Sequence, residues 1–114
     1  MQTFDPGTVC VVPFPYVERP VRKRRPCVVV GAPAASLELY WMTMITSRAN
    51  DPWPGDVVVS DLDAAGLPHP SVVRTAKIAT VEAAALAPIG TLVPADWSDV
   101  LAAVSANLPA AQIQ

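Results

Sequence analysis

Five of the chain's eight basic residues, Arg19, Arg22, Lys23, Arg24 and Arg25, fall within seven positions of a 114-residue sequence whose net charge is −2. An acidic chain does not need such a cluster for solubility, so the segment RPVRKRRP reads as an electrostatic footprint for a phosphate-bearing partner. The competing reading is a solvated loop flanked by prolines. Other chemistry is scarce. His69 is the one histidine, so no pair of imidazoles can divide acid and base work, and its place between two prolines reads as an exposed turn. Asp51, Asp56, Asp61 and Asp63 lie in loop-like stretches without a magnesium-ligand pattern. Cys10 and Cys27 with a single histidine cannot build a zinc site. No metal or other cofactor is expected.

The elements that present the basic cluster are apolar and β-branched. TVCVVPFPY precedes it and PCVVVGAP follows it, so the arginines fall on the connection between two strands. The first strand runs from about Thr8 to Phe14, with Pro13 and Pro15 ending it or placing it at an edge. The second, Cys27 to Gly31, is almost wholly apolar and belongs in the middle of a sheet. LELYWMTMITS gives a third strand ending near Thr46 and Ser47, and RANDPWPGD a loop. GDVVV is a short fourth strand, Ser71 to Val81 a fifth, and APIGTL a last short one, with EAAAL a single helical turn before it. Trp97, Val100, Leu101, Val104 and Leu108 recur at helical spacing, with Asp96 or a neighbour as cap and Pro109 near the end. Trp41 and Trp97 are read as packing residues. These elements predict a mostly β (α+β) fold, a small antiparallel barrel or highly curved sheet with one helix packed on it.

Composition bounds the rest. The length allows one domain, residues 1–114, with one modest core. At 52% hydrophobic and 16% charged residues the chain is globular and more apolar than usual, which favours a homodimer. No apolar run reaches the length of a membrane helix and MQTFDPGTV lacks a basic leader, so no membrane association and a cytoplasmic location are expected. Both cysteines are read as reduced core residues, with a cross-strand disulfide as the alternative.

Taken in order, GTVCVVPFPY, RRPCVVVG, a strand ending ITS, GDVVV, AGLPHPSVVRTAKIATV and IGTL resemble the MazF/PemK toxins of type II toxin-antitoxin systems, over about Pro6 to Leu92. The resemblance implies an SH3-like barrel of five to six strands with a C-terminal helix, a homodimer, a cognate antitoxin partner and metal-independent endoribonuclease (mRNA interferase) activity on single-stranded RNA. It also implies two catalytic positions: the arginine before the second-strand proline, Arg25, and the threonine closing the third strand, Thr46.

Such chemistry suits the residues at hand. RNA supplies its own nucleophile in the 2′-hydroxyl, so alignment and charge stabilisation suffice, and a guanidinium matches phosphate oxygens two at a time. Arg22, Lys23 and Arg24 are expected to hold backbone phosphates, Arg24 from the opposite side of the strand to Arg25. Ser47 and Arg48 extend the track, as does Arg74 unless it pairs with an acidic neighbour. Trp53 stacks on a base or, equally, covers the core or a dimer contact. The alternative function is that of a gyrase-poisoning toxin with the same barrel, which binds a protein and cuts no RNA.

Overall fold

In the computed structural model, which describes residues 3–13 and 24–108, six strands form one antiparallel sheet. They are β1 (Thr8–Pro13), β2 (Arg24–Ala34), β3 (Leu39–Ser47), β4 (Asp56–Val58), β5 (Ser71–Glu82) and β6 (Ala87–Thr91), in the spatial order β4-β5-β3-β2-β1-β6. A short helix α1 (Leu62–Ala65) lies between β4 and β5, and α2 (Pro94–Asn107) follows β6. Arg19, Arg22 and Lys23 fall outside the described residues.

The pleat explains the unbroken apolar run in β2. Cys27 and Val29 join one cluster with Cys10, Val12, Met42 and Met44. Val28 joins another with Val9, Ile45 and Val73. A strand buried on both faces needs apolar residues at successive positions, and β2 is interior as expected. β1 is interior as well, between β2 and β6, so Pro13 ends a strand and does not mark an edge.

The sheet curves but does not close. Among the described residues no ladder joins β6 to β4, so the expected barrel is an open sheet. Bending comes from register shifts, which increase local twist. The clearest lies in β5, where Thr43 pairs with Ile78 but Met44 with Arg74. Buried Thr43 spans that irregularity, its Oγ1 donating to the Arg74 carbonyl at 2.6 Å and the Lys77 carbonyl at 3.2 Å.

Two helix features depart from expectation. α2 begins at Pro94 after Val93, which makes no capping bond; proline at the first position presents no N–H to be capped. Asp96 is therefore not the cap. It is buried, and its Oδ2 accepts from the Ser60 N–H at 2.8 Å and Ser60 Oγ at 2.9 Å, tying α2 to the chain leaving β4. Val100 and Val104 pack on the second cluster, whereas Leu101 and Leu108 remain exposed.

The other departure is α1, for which the sequence reading assigned no helix. Asp61 Oδ1 accepts from the Ala64 N–H at 2.9 Å at its start, and Gly66, at φ 72°, ends it. The glycine is required twice over. Its φ is left-handed, and a Cβ there would lie 2.1 Å from the Ile89 carbonyl oxygen. This stop drops Leu67 into the core and sends residues 68–70 across to the end of β3.

Candidate active site

Where the start of β2 meets the end of β3, a cleft of about 350 Å³ opens. β2 pairs with β3 as far as Cys27 opposite Met44. Two residues beyond that rung, Arg25 and Thr46 stand level at the strand ends, and both line the cleft. Arg25 is fixed from its other side by pairing with Val12 of β1. Arg25 is half-buried as a residue, and its guanidinium has no hydrogen-bond or ion-pair partner among the described residues.

Thr46 is held by the turn that follows it. Asn50 Nδ2 donates to Thr46 Oγ1 at 2.7 Å, while the Ala49 N–H donates to Ser47 Oγ at 3.2 Å. The opposite wall comes from the loop entering β5, where Pro68, His69 and Ser71 line the same cleft. That loop is tied to the turn by the Arg48 N–H donating to the Pro70 carbonyl at 3.0 Å. Among the described residues, Arg24 and Arg25 are the charged ones lining the cleft and no carboxylate joins them, so this part of it is cationic in an acidic chain. An anion with several oxygens fits this donor set.

Strand alternation, which puts Arg24 on the opposite side from Arg25, does not keep it out of the cleft. Arg24 is exposed and lines the same cleft. At the first position of the strand, a long side chain can curl round the end, so alternation loses its force there.

The remaining sequence-predicted positions divide. Ser47 lines the cleft and Arg48 sits exposed on the adjoining turn without lining it. Arg22 and Lys23 lie outside the described residues. Trp53 is not among the cleft residues. One face of its ring is covered by the Arg74 guanidinium at 4.3 Å, and it stays 43% exposed on the loop before β4. Arg74 is buried and occupied: Nε and Nη2 donate to Asp56 Oδ1 and Oδ2 at 3.2 and 3.1 Å, and Nη2 also to the Asp51 carbonyl at 2.8 Å. It pairs with an acidic neighbour and does not extend a phosphate track.

Cys10 and Cys27 are register partners on β1 and β2, and both are free and buried. Burial pushes the Cys10 thiol from 9.0 up to about 11. Cys27 is raised further, first by burial and then by Cys10 beside it. Thiols so shifted stay protonated and unreactive. Among the described residues no three His, Cys, Asp or Glu side chains gather as a metal site. No helix is long and apolar enough to cross a membrane.

Two cleft residues escaped the sequence reading. Asn50 lies four positions after Thr46 in a polar turn, a residue type that readily bonds back to local groups. His69 looked incidental in LPHPS, yet the prolines on either side stiffen the segment that carries it.

A family model describing PemK-like, MazF-like toxins of type II toxin-antitoxin systems matches residues 5–108. Several solved structures share the fold. A MazF from Deinococcus radiodurans superposes with TM-score 0.71 at 20% identity, covering 93% of this chain and 96% of that one. A MazE-MazF complex from the same organism gives TM-score 0.69 at 20% identity, covering 93% and 95%. An endoribonuclease in complex with its cognate antitoxin from Mycobacterial species gives 0.68 at 17% identity, covering 96% and 95%. No curated protein matches the chain in sequence.

Proposed function

The chain belongs to the PemK-like, MazF-like toxins of type II toxin-antitoxin systems, and on that premise we propose that it is an endoribonuclease that cleaves single-stranded RNA at the Arg25–Thr46 cleft without a metal ion. The observation that carries this reading is that Arg25, whose guanidinium has no partner among the described residues, lines one cleft with Thr46, and that no described carboxylate lines it.

In the proposed reaction the RNA 2′-oxygen attacks the adjacent phosphorus and the bond to the 5′-oxygen breaks. The products are a 2′,3′-cyclic phosphate and a 5′-hydroxyl. Arg25 binds the non-bridging oxygens and stabilises the charge that grows on them in the transition state. An arginine stays protonated in essentially any site, so its part is electrostatic. With one lone pair of Thr46 Oγ1 taken by Asn50, its proton is free to bond a phosphate oxygen or the leaving 5′-oxygen. Arg24 at the cleft rim holds a neighbouring phosphate. The described residues of the cleft offer a hard divalent cation no anionic oxygen ligand.

The same reading includes a homodimer and a cognate antitoxin. For the antitoxin, the Deinococcus relative is described as a MazE-MazF complex and the Mycobacterial one as an endoribonuclease in complex with its cognate antitoxin. Here Trp41, Ile78, Leu101 and Leu108 leave apolar surface exposed beside α2, which suits a protein contact.

Purified protein incubated with single-stranded RNA in excess EDTA should produce fragments with cyclic-phosphate and 5′-hydroxyl ends. Double-stranded RNA of the same sequence should resist. Activity that disappears on chelation and returns with magnesium would contradict the mechanism. RNA left intact alongside binding to a protein target would replace it with the poison reading.

A further inference from the structure

Neither Arg25 nor Thr46 explains how the 2′-hydroxyl loses its proton. We propose that His69 is the general base of the cleft. This inference rests on the ribonuclease reading of that site and deepens it.

Few of the cleft's described side chains can accept a proton. Arg24 and Arg25 are donors only. Thr46 Oγ1 and Ser47 Oγ already accept from Asn50 and from the Ala49 N–H. Ser71 Oγ is committed to the His69 carbonyl at 2.7 Å. Hydroxyls and amides are in any case too weakly basic to take a proton from another hydroxyl near neutral pH. Among the described lining residues, the His69 imidazole is the group that carries a basic ring nitrogen, a residue type that can take up a proton near neutral pH.

Position supports the role. Ser47 and Ser71 are paired at the ends of β3 and β5, so residue 69 lies just beyond the rung next to Thr46. Two bonds pin this loop: Ser71 Oγ to the His69 carbonyl at 2.7 Å, and the Arg48 N–H to the Pro70 carbonyl at 3.0 Å. Pro68 and Pro70 further restrict the backbone, while the His69 side chain stays exposed at the cleft. Among the described residues, the charged groups lining the cleft with it are Arg24 and Arg25 from β2, and β3 contributes neutral Thr46 and Ser47; Arg48 is exposed on the adjoining turn.

The step balances without another cofactor. An unprotonated ring nitrogen of His69 takes the 2′-hydroxyl proton as the O2′–P bond forms and the P–O5′ bond breaks. Water protonates the departing 5′-oxygen, and the imidazolium returns its proton to solvent.

The test compares wild type, His69→Gln and Arg25→Ala on single-stranded RNA in EDTA across pH 5 to 8, roughly the span in which imidazoles titrate. Cleavage at saturating RNA should rise with pH in the wild type. His69→Gln should lose about 10² to 10⁴ of the rate and the rise, with RNA affinity and thermal midpoint retained. Added imidazole should restore part of the activity of His69→Ala. A His69→Gln protein with the wild-type rate or the wild-type pH rise overturns the assignment of His69 alone, provided wild type cleaves and Arg25→Ala does not. A wild type that leaves RNA intact overturns the ribonuclease reading and this inference with it.

Discussion

Asn50 Nδ2 donates to Thr46 Oγ1 at 2.7 Å, across a turn of four residues, and so directs the threonine's own proton elsewhere. If that proton serves the reaction, Thr46→Ala removes a transition-state donor, worth about 10² to 10³ in rate. Asn50→Ala removes only the bond that orients it, worth about 1 kcal/mol or roughly fivefold. Single-turnover cleavage at saturating RNA should rank the two in that order. An Asn50→Ala defect as large as that of Thr46→Ala would mean that the amide itself contacts the RNA.

Arg74 and Asp56 form a buried two-pronged pair, with Trp53 lying over the guanidinium. Removing either partner alone strands a buried charge, which costs about 3 to 5 kcal/mol. Urea unfolding should show that loss for Arg74→Ala and for Asp56→Ala. An apolar pair such as Arg74→Met with Asp56→Leu should recover much of it. Single variants as stable as wild type would show the pair to be solvated.

Much of this architecture was legible in the sequence because it is local. The CVVV run marked an interior strand, ITS marked the end of β3, and of the helical stripe Trp97, Val100, Leu101, Val104 and Leu108, Val100 and Val104 lie on the buried face of α2 while Leu101 and Leu108 do not. What was not legible depends on distant residues. Asp96 reads as a cap because capping is local, yet its partner Ser60 is 36 positions away. His69 reads as incidental because only the pairing of β3 with β5 carries its loop to Thr46. Alternation did not keep Arg24 out of the cleft because a strand end imposes no face. The open edge between β6 and β4 follows from the order of pairing, which no single segment encodes.

Arg24 lines the cleft but has no assigned role in bond breaking. Arg24→Ala should leave cleavage at saturating RNA intact and reduce the salt dependence of binding by about 0.7 in log–log slope, one phosphate on a single strand. Titrations at several salt concentrations measure this directly. An unchanged slope would remove Arg24 from the phosphate track.

The thiols give the fold an alkaline limit. Cys10 is raised by burial from 9.0 to about 11, and Cys27 is raised too, so above pH 9 the unfolded chain releases protons that the folded chain keeps. Stability from these groups is therefore complete below that pH and falls as pH climbs toward the folded value, by up to about 1.4 kcal/mol per pH unit for each thiol. Urea midpoints should drop between pH 8 and pH 10. A Cys10→Ala, Cys27→Ala protein, less stable at both, should show a smaller drop. Equal drops in the two proteins would place the alkaline sensitivity elsewhere.

The central claim is that Arg25 stabilises charge in the transition state, and the most direct measurement is turnover of single-stranded RNA at saturation, in EDTA, for Arg25→Ala beside Arg24→Ala. Arg25→Ala should fall by about 10² to 10³ with its thermal midpoint unchanged, while Arg24→Ala turns over like wild type. Equal and modest losses in the two variants, with efficient cleavage once RNA is saturating, would reduce the pair to a phosphate-binding patch and contradict the account.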